Sequence, residues 1–309
     1  MLRTIGIVGC GLMGTGIAEV AAAAGLSVVA VKATPGSLDA ARARIEGSLA
    51  RAVARGKRTD EERTLAMARI TFSANLDALG GCDLIIESCP EVLGAKKELL
   101  ARLEQVARRD ALLATNTSSL PLPELARALE HPQRFLGLHF FSPVAAMDLV
   151  EVGRIARTEP AAIDAAVAFV HALGKTPIVL DAEVGYLVNR LLVPQLCQAI
   201  EMLEGGVARA SDIDLALKKG LGHPMGPLAL ADAIGLDVVL AMAQTMAHEL
   251  RDRRFRVPRL LRRLVQAGHL GKKTKMGLYD HAATGAGTEL VENPEVALGR
   301  LPHVAAPAA

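Results

Sequence analysis

Four groups of residues in this 309-residue chain have types and spacings suited to chemistry. Gly9, Gly11 and Gly14 stand in the Gly-x-Gly-x-x-Gly spacing. Gly9 permits a tight turn, Gly11 lets the backbone approach a pyrophosphate, and Gly14 lets a helix pack closely on a strand. The N–H groups that open the following helix would face the phosphates, aided by the helix dipole. The second group is His139, set in the apolar stretch 135–143, with Glu151 in a further apolar stretch, 147–152. A buried carboxylate needs a partner. An imidazole held by one has a fixed tautomer and a raised affinity for a proton, which suits a general base in alcohol oxidation. The third group, Thr115-Asn116-Thr117-Ser118-Ser119, is a polar run suited to an oxygen-rich ligand, although Ser119 reads equally well as part of a capped turn. The fourth is the basic series Arg42, Arg44, Arg51, Arg55, Lys57 and Arg58. It reads mostly as a solvated face, with room to meet a second set of phosphates.

The elements that must position these groups follow from hydrophobic patterning. Residues 5–8 read as a buried strand that stops at Gly9, and 12–24 as a helix that stops at Gly25. With a second apolar strand over 26–31, the order predicts a dinucleotide site at the head of an α/β domain. The residue that ends this second strand is ordinarily an acid that takes the adenine ribose hydroxyls. Here it is Lys32. A lysine attracts a 2′-phosphate that a carboxylate repels, so NAD is expected with NADP possible; otherwise Lys32 points to solvent. Helices are predicted over 38–56 and 59–67, a strand over 70–72, and a buried strand over 83–87 with Glu87 at its C-terminal end. Such ends are where open α/β sheets place their sites. Glu91 is expected to start a helix that runs through Lys96 to Val106. Strands over 112–114 and 177–180 complete the sheet.

From residue 185 the pattern is helical, with 3.6-residue periodicity over 186–204, 211–219, 228–251 and 257–267. The expected organisation is a nucleotide-binding domain over 1–182, a helical domain over 183–282, and a flexible tail over 283–309. Helices so rich in Ala and Leu can hardly all be covered within roughly 100 residues, which predicts a homodimer formed through this domain. The linker 222–227 makes His223 a structural residue, and the arginines at 251, 253, 254, 256 and 259 a solvated surface.

Composition narrows the class. Hydrophobic residues make up 51 % of the chain and aromatics 3 %, so the core must be built of Ala, Leu and Val. A net charge of +2 gives no argument for nucleic acid. No apolar run reaches membrane-spanning length, and residues 2–4 lead into a strand rather than a secretion signal. Cys10, Cys82, Cys89 and Cys197 have neither paired nor metal-ligand spacing, which excludes a metal site built on them and suits a reducing cytoplasm. Cys89 near the expected cofactor reads as a small space-filler.

Taken together, the motifs Gly9-Cys10-Gly11-Leu12-Met13-Gly14, Asn116-Thr117-Ser118-Ser119, His139-Phe140-Phe141-Ser142-Pro143, Leu149-Val150-Glu151-Val152, Asn189-Arg190, Gly220-Leu221-Gly222-His223-Pro224-Met225-Gly226-Pro227 and Gly271-Lys272-Lys273-Thr274 make the chain resemble the short-chain 3-hydroxyacyl-CoA dehydrogenases. The resemblance runs from Ile5 to about Tyr279. It implies a Rossmann domain followed by an all-α dimerisation domain, and oxidation of a (3S)-3-hydroxyacyl-CoA by NAD. In it His139 is the general base and Glu151 pairs with the other ring nitrogen. Ser118 and Asn189 hydrogen-bond the C3 oxygen. Gly9, Gly11, Leu12, Met13, Gly14, Lys32, Glu91, Lys96, Ser118, Ser142 and Lys273 belong to the cofactor side. Ser48, Arg55 and Ser118 belong to the CoA substrate. The sequence departs from that family at Lys32, where an acid is usual, at Ser142, where Asn is common, and at Lys275, where glycine is usual. An acyl group carried by an acyl carrier protein, or a free hydroxy or sugar acid, remains an alternative substrate. A nucleotide binder without catalysis is a further alternative, and the intact His139, Glu151, Ser118 and Asn189 argue against it.

Overall fold

The structure, a computed structural model, describes residues 2–32, 37–282, 291–292 and 296. The chain forms two compact units, 1–186 and 187–309. The first unit runs in the order β1 (Thr4–Val8), α1 (Leu12–Ala23), β2 (Ser27–Val31), α2 (Asp39–Ala54), α3 (Asp60–Ala68), β3 (Ile70–Ser73), β4 (Leu84–Glu87), α4 (Leu93–Val106), β5 (Leu112–Thr115), α5 (Leu122–Ala126), β6 (Phe135–Phe140), β7 (Leu149–Arg154), α6 (Pro160–Ala172) and β8 (Thr176–Asp181). The strands form one sheet in the order β3-β2-β1-β4-β5-β6-β7-β8.

Neighbouring strands are parallel except where β6 meets β7. The central strands are apolar on both faces because helices cover both, as parallel sheets require. Alternation along a strand divides the core. Ile5, Ile7, Leu84 and Ile86 face one layer with Ile17 of α1 and Phe169 of α6. Val8, Ile85 and Leu113 face the other, with Leu100 of α4 and Leu125 of α5. Local signals fix the ends of elements. Thr59 accepts from the Glu62 N–H while the Glu62 carboxylate accepts from the Thr59 N–H, a reciprocal cap that starts α3.

Several element ends differ from the pattern read in the sequence, and two of the differences bear on the site. Glu91 precedes α4, which begins at Leu93. Tyr186, expected as the first residue of a helix, instead has φ 50. The first unit runs past 182 to Tyr186 because the Tyr186 ring packs into this unit's core.

The second unit contains α7 (Val188–Glu204), α8 (Ala210–Gly220), α9 (Pro227–Ile234), α10 (Leu236–Leu250) and α11 (Arg259–Gln266). The long helix expected over 228–251 is two helices, α9 and α10, bent by 97°. Gly235 between them has φ +106, a conformation open to glycine and strained for other residues. Two buried carboxylates hold this unit together. Asp214 accepts from the Leu228 and Ala229 N–H groups, the orphan donors that open α9, and from the Tyr279 hydroxyl. Asp232 accepts from the Leu278 and Tyr279 N–H groups. The expected tail, 283–309, lies outside the described residues except for 291–292 and 296. There β10 (Val291–Glu292) pairs antiparallel with β9 (Tyr279–Asp280). Among the described residues, no single helix is long and apolar enough to cross a membrane.

Candidate active site

The C-terminal edge of the sheet collects the polar residues of the first unit. Val8 pairs with Glu87, and Glu87 with Thr115, so β1, β4 and β5 end side by side. Gly9 follows β1 with φ +103, and its N–H donates to the Val31 carbonyl. A Cβ at Gly14 would lie 1.8 Å from the Gly9 carbonyl oxygen, so only glycine lets α1 start this close to β1. Around Gly11 the corresponding space is open, with nothing within 4 Å. The first turn of α1 has no side-chain cap, and Leu12 beside it is 66 % exposed. Uncapped N–H groups, an open approach and an exposed apolar residue fit a dinucleotide's pyrophosphate. Gly9, Gly11, Leu12, Met13 and Gly14 are the residues that could hold it.

Lys32 ends β2 beside this turn, with its ammonium on the Ser37 carbonyl at 3.2 Å. Arg44 of α2 reaches the Cys10 carbonyl at 3.2 Å. Sequence reading placed Arg44 in the basic series that is mostly a solvated face with room for a second set of phosphates.

The antiparallel register of β6 and β7 puts His139 directly opposite Glu151. Their Nδ1 and Oε2 atoms are 2.6 Å apart, with Glu151 fully buried and His139 3 % exposed. A carboxylate only accepts, so Nδ1 carries the hydrogen and Nε2 is left with its lone pair. Nε2 lies 3.0 Å from the Ser118 Oγ, whose hydroxyl can donate to it. Asn116 holds the polar loop against the end of β6, its Oδ1 accepting from the Phe140 N–H at 2.9 Å. The Glu91 carboxylate accepts from the Thr117 hydroxyl and from the Ser118 N–H at 2.6 Å. A base with a fixed tautomer, a hydroxyl beside its free lone pair, and a nucleotide-type turn at the same sheet edge can carry out proton removal coupled to hydride transfer.

Lys96, expected on the cofactor side by resemblance, lies on α4. It is 1 % exposed, and its ammonium donates to both Glu87 oxygens, at 2.8 and 2.9 Å, and to the Cys89 carbonyl. Thr115 and the Cys89 N–H also donate to Glu87. This pair therefore lies beneath the site and ties the 88–91 loop to the 115–119 loop. Its ammonium is 3.7 Å from Glu91. Burial and the neighbouring Glu87 carboxylate push the Cys89 thiol up to about 12, so it stays protonated at neutral pH. Such a thiol fills space rather than acting as a nucleophile.

Ser142 is exposed in the loop after β6. Val144 of the same loop packs where a Cβ on Gly16 would lie 2.8 Å away, so Gly16 lets the loop rest on α1. The buried Lys175 ammonium donates to the Val144 and Met147 carbonyls at 2.7 Å each. Sequence reading missed both Gly16 and Lys175; the only signal was a glycine inside a helical run.

Ser48 and Arg55 line one open pocket of about 690 Å³ in the first unit, with Arg51, Lys57 and Arg58 around it. Burial holds the Glu19 carboxyl in its wall above the usual carboxylate range, against opposing contributions from Ser48, Arg58 and Arg51. In the second unit, Asn189 is 8 % exposed on α7 and Lys273 pairs with Asp237. Lys275 has φ 60, a left-handed conformation that glycine, expected there by resemblance, would adopt without strain. Among the described residues, no group of three or more His, Cys, Asp or Glu side chains could hold a metal ion.

Comparison with known proteins agrees with this arrangement. Residues 4–184 match the family model described as 3-hydroxyacyl-CoA dehydrogenase, NAD binding domain, and residues 185–281 match its C-terminal domain. The chain is 43 % identical to a 3-hydroxybutyryl-CoA dehydrogenase of Mycobacterium tuberculosis, over 91 % of this chain and 99 % of that one. It is 41 % identical to a Bradyrhizobium diazoefficiens protein of the same description, over 91 % and 96 %. Among solved structures, (S)-3-hydroxybutyryl-CoA dehydrogenase from Ralstonia eutropha superposes with a TM-score of 0.87 at 38 % identity, covering 91 % of this chain and 99 % of that one.

The buried pair under the site carries a stability prediction. Lys96→Met leaves the Glu87 carboxylate fully buried without its counter-ion and should lower the free energy of unfolding by about 3–5 kcal/mol. Adding Glu87→Gln should recover part of that loss. Urea unfolding of both variants measures it, and a single variant as stable as the parent contradicts the pairing.

Proposed function

The chain belongs to the 3-hydroxyacyl-CoA dehydrogenase family, and from that premise we propose that it moves a hydride between the C3 hydroxyl of a short (3S)-3-hydroxyacyl-CoA, such as 3-hydroxybutyryl-CoA, and NAD. The observation that carries the reading is the buried contact between His139 and Glu151, with Ser118 on the other ring nitrogen. Bound NAD supplies the hydride acceptor. His139 takes the hydroxyl proton at Nε2 as the C3–H bond breaks and the C3 carbonyl forms. Glu151 holds the ring and stabilises the imidazolium. Ser118 and, by the family resemblance, Asn189 donate to the C3 oxygen, where negative charge grows in the reducing direction. Glu91 fixes the Ser118 backbone, and Ser142 and Lys273 are assigned to the cofactor side by resemblance alone.

The CoA nucleotide is assigned to the pocket lined by Ser48 and Arg55, whose cations suit its phosphates. Lys32 and Arg44 beside the glycine turn support tolerance of the extra phosphate of NADP. The free thiols suit a reducing cytoplasm. A homodimer built on the second unit is supported by exposed apolar side chains there, among them Leu191 at 70 % and Leu221 at 68 %.

Three measurements test these readings. Acetoacetyl-CoA should be reduced with loss of NADH absorbance, and His139→Gln should lower kcat by about 100- to 10,000-fold. No turnover with either cofactor contradicts the activity, and NADP turnover below roughly a thousandth of that with NAD contradicts the role given to Lys32. Arg55→Glu should raise KM for the acyl-CoA by about tenfold with kcat nearly unchanged; the same acyl group on a carrier protein separates the two carriers. Gel filtration should give twice the chain mass, and a monomer at micromolar concentration refutes the dimer.

A further inference from the structure

Tyr186 has no part in the chemistry described above, yet it touches the base. Gly137 and Gly153 are opposite each other in the β6–β7 register, two residues along each strand from His139 and Glu151 and so on the same face. A Cβ on Gly137 would lie 2.2 Å from the Tyr186 hydroxyl oxygen, and one on Gly153 would lie 2.8 Å from its ring. The two glycines leave a slot in the sheet, and the tyrosine ring fills it at 2 % exposure. Its centroid is 4.8 Å from that of the His139 ring, with 25° between the planes. To seat the ring there the backbone at Tyr186 takes φ 50, a left-handed conformation that strains a non-glycine residue. Strain of this kind persists only where packing on both sides enforces it.

We propose that Tyr186 is a positioning residue for the catalytic imidazole: its π face, seated in the Gly137–Gly153 slot, orients His139 and stabilises the imidazolium that forms during turnover. The face of an aromatic ring carries partial negative charge and attracts a cation within about 6 Å. The stacking favours protonated His139 over neutral His139, in the same direction as Glu151. The hydroxyl is not what holds the ring, since it has no hydrogen-bond partner among the described residues. Nor does the phenol compete as an acid, because burial and the Glu151 and Glu91 carboxylates raise it far above the usual tyrosine range. The groups facing His139 in this unit are Glu151 on β7, Ser118 with Glu91 behind it, the Phe141 ring at 4.6 Å, and Tyr186.

The inference rests on His139 being the base, and its test is built to separate the two. Three chains are compared with the parent across pH: Tyr186→Phe, Tyr186→Met, and the chain carrying a trifluorinated phenylalanine at 186, which keeps the ring's shape but removes its negative face. Tyr186→Phe should reproduce the parent's kcat and pH profile. In the other two the imidazolium is held less tightly. The acid limb of kcat for 3-hydroxybutyryl-CoA oxidation should then move to lower pH by about half to one unit. The plateau should fall roughly three- to tenfold with KM values within about twofold of the parent. The fluorinated chain keeps the test valid where the Met variant fails to fold. Identical acid limbs for the phenylalanine and its fluorinated counterpart overturn the proposal. A loss in Tyr186→Phe as large as in Tyr186→Met overturns it as well. Retention of activity by His139→Gln would instead overturn the base assignment, whatever the residue at 186 does.

Discussion

A carboxylate with no access to water is the most demanding object in this fold, and Glu151 is one. Leaving it unpaired would cost several kcal/mol or force its protonation. It faces His139 across an antiparallel register at 2.6 Å, so its charge is answered by an N–H of fixed direction. That one requirement fixes much else. The imidazole is held in one tautomer, the other ring nitrogen points to Ser118, and the strand pair carrying both residues cannot slip by one residue without turning them to opposite faces. In the proposed mechanism this structural interaction also serves turnover, because an imidazolium formed on proton removal is the state the carboxylate favours.

Lys96 and Glu87 form another buried pair, this one an ion pair, and it works differently. Its ammonium is saturated by two carboxylate oxygens and one carbonyl. Buried ion pairs of this kind are weak sources of stability compared with apolar packing, and strong sources of specificity where several hydrogen bonds depend on them. Here they bind two loops, 88–91 and 115–119, and through Glu91 they reach the Ser118 N–H. Two buried pairs thus serve this sheet edge: Lys96 with Glu87 sets the loops, and the proposed mechanism gives the proton chemistry to His139 with Glu151.

Much of this was readable in the sequence because it depends on local patterns. Residues 5–25 announce strand, turn and helix by composition alone, and they fold so. His139 and Glu151 could be paired because each sits inside a short apolar segment and a buried carboxylate needs a partner. What could not be read depends on register or on three-dimensional neighbours. Lys96 looks like a surface lysine on a helix until Glu87 is placed beneath it. Gly137 and Gly153 look like weak points in two strands until the pairing sets them opposite each other with Tyr186 between. Gly235 breaks a helix whose apolar periodicity continues on both sides, so hydrophobic pattern alone could not locate the 97° bend. The residues alone showed the pocket around Ser48 and Arg55 only as a basic series with room for a second set of phosphates, and its assignment to CoA came from the resemblance.

The antiparallel junction within the eight-stranded sheet explains why these parts meet. In an all-parallel sheet every strand enters from the same edge, and a residue facing the C-terminal end of β6 would come from the end of its neighbour. Reversing β7 brings the start of that strand to the end of β6, so the 141–148 loop crosses the same edge that carries the glycine turn. Val144 rests on Gly16 of α1, and Lys175, just before β8, holds the loop by two carbonyls. The base, the phosphate turn and the loop bearing Ser142 are thus fixed to a common edge by one change of strand direction. Open α/β sheets bind their ligands beyond the C-terminal strand ends. This chain reverses β7 and β8, and β7 brings to that edge a second buried carboxylate besides Glu87, set against His139.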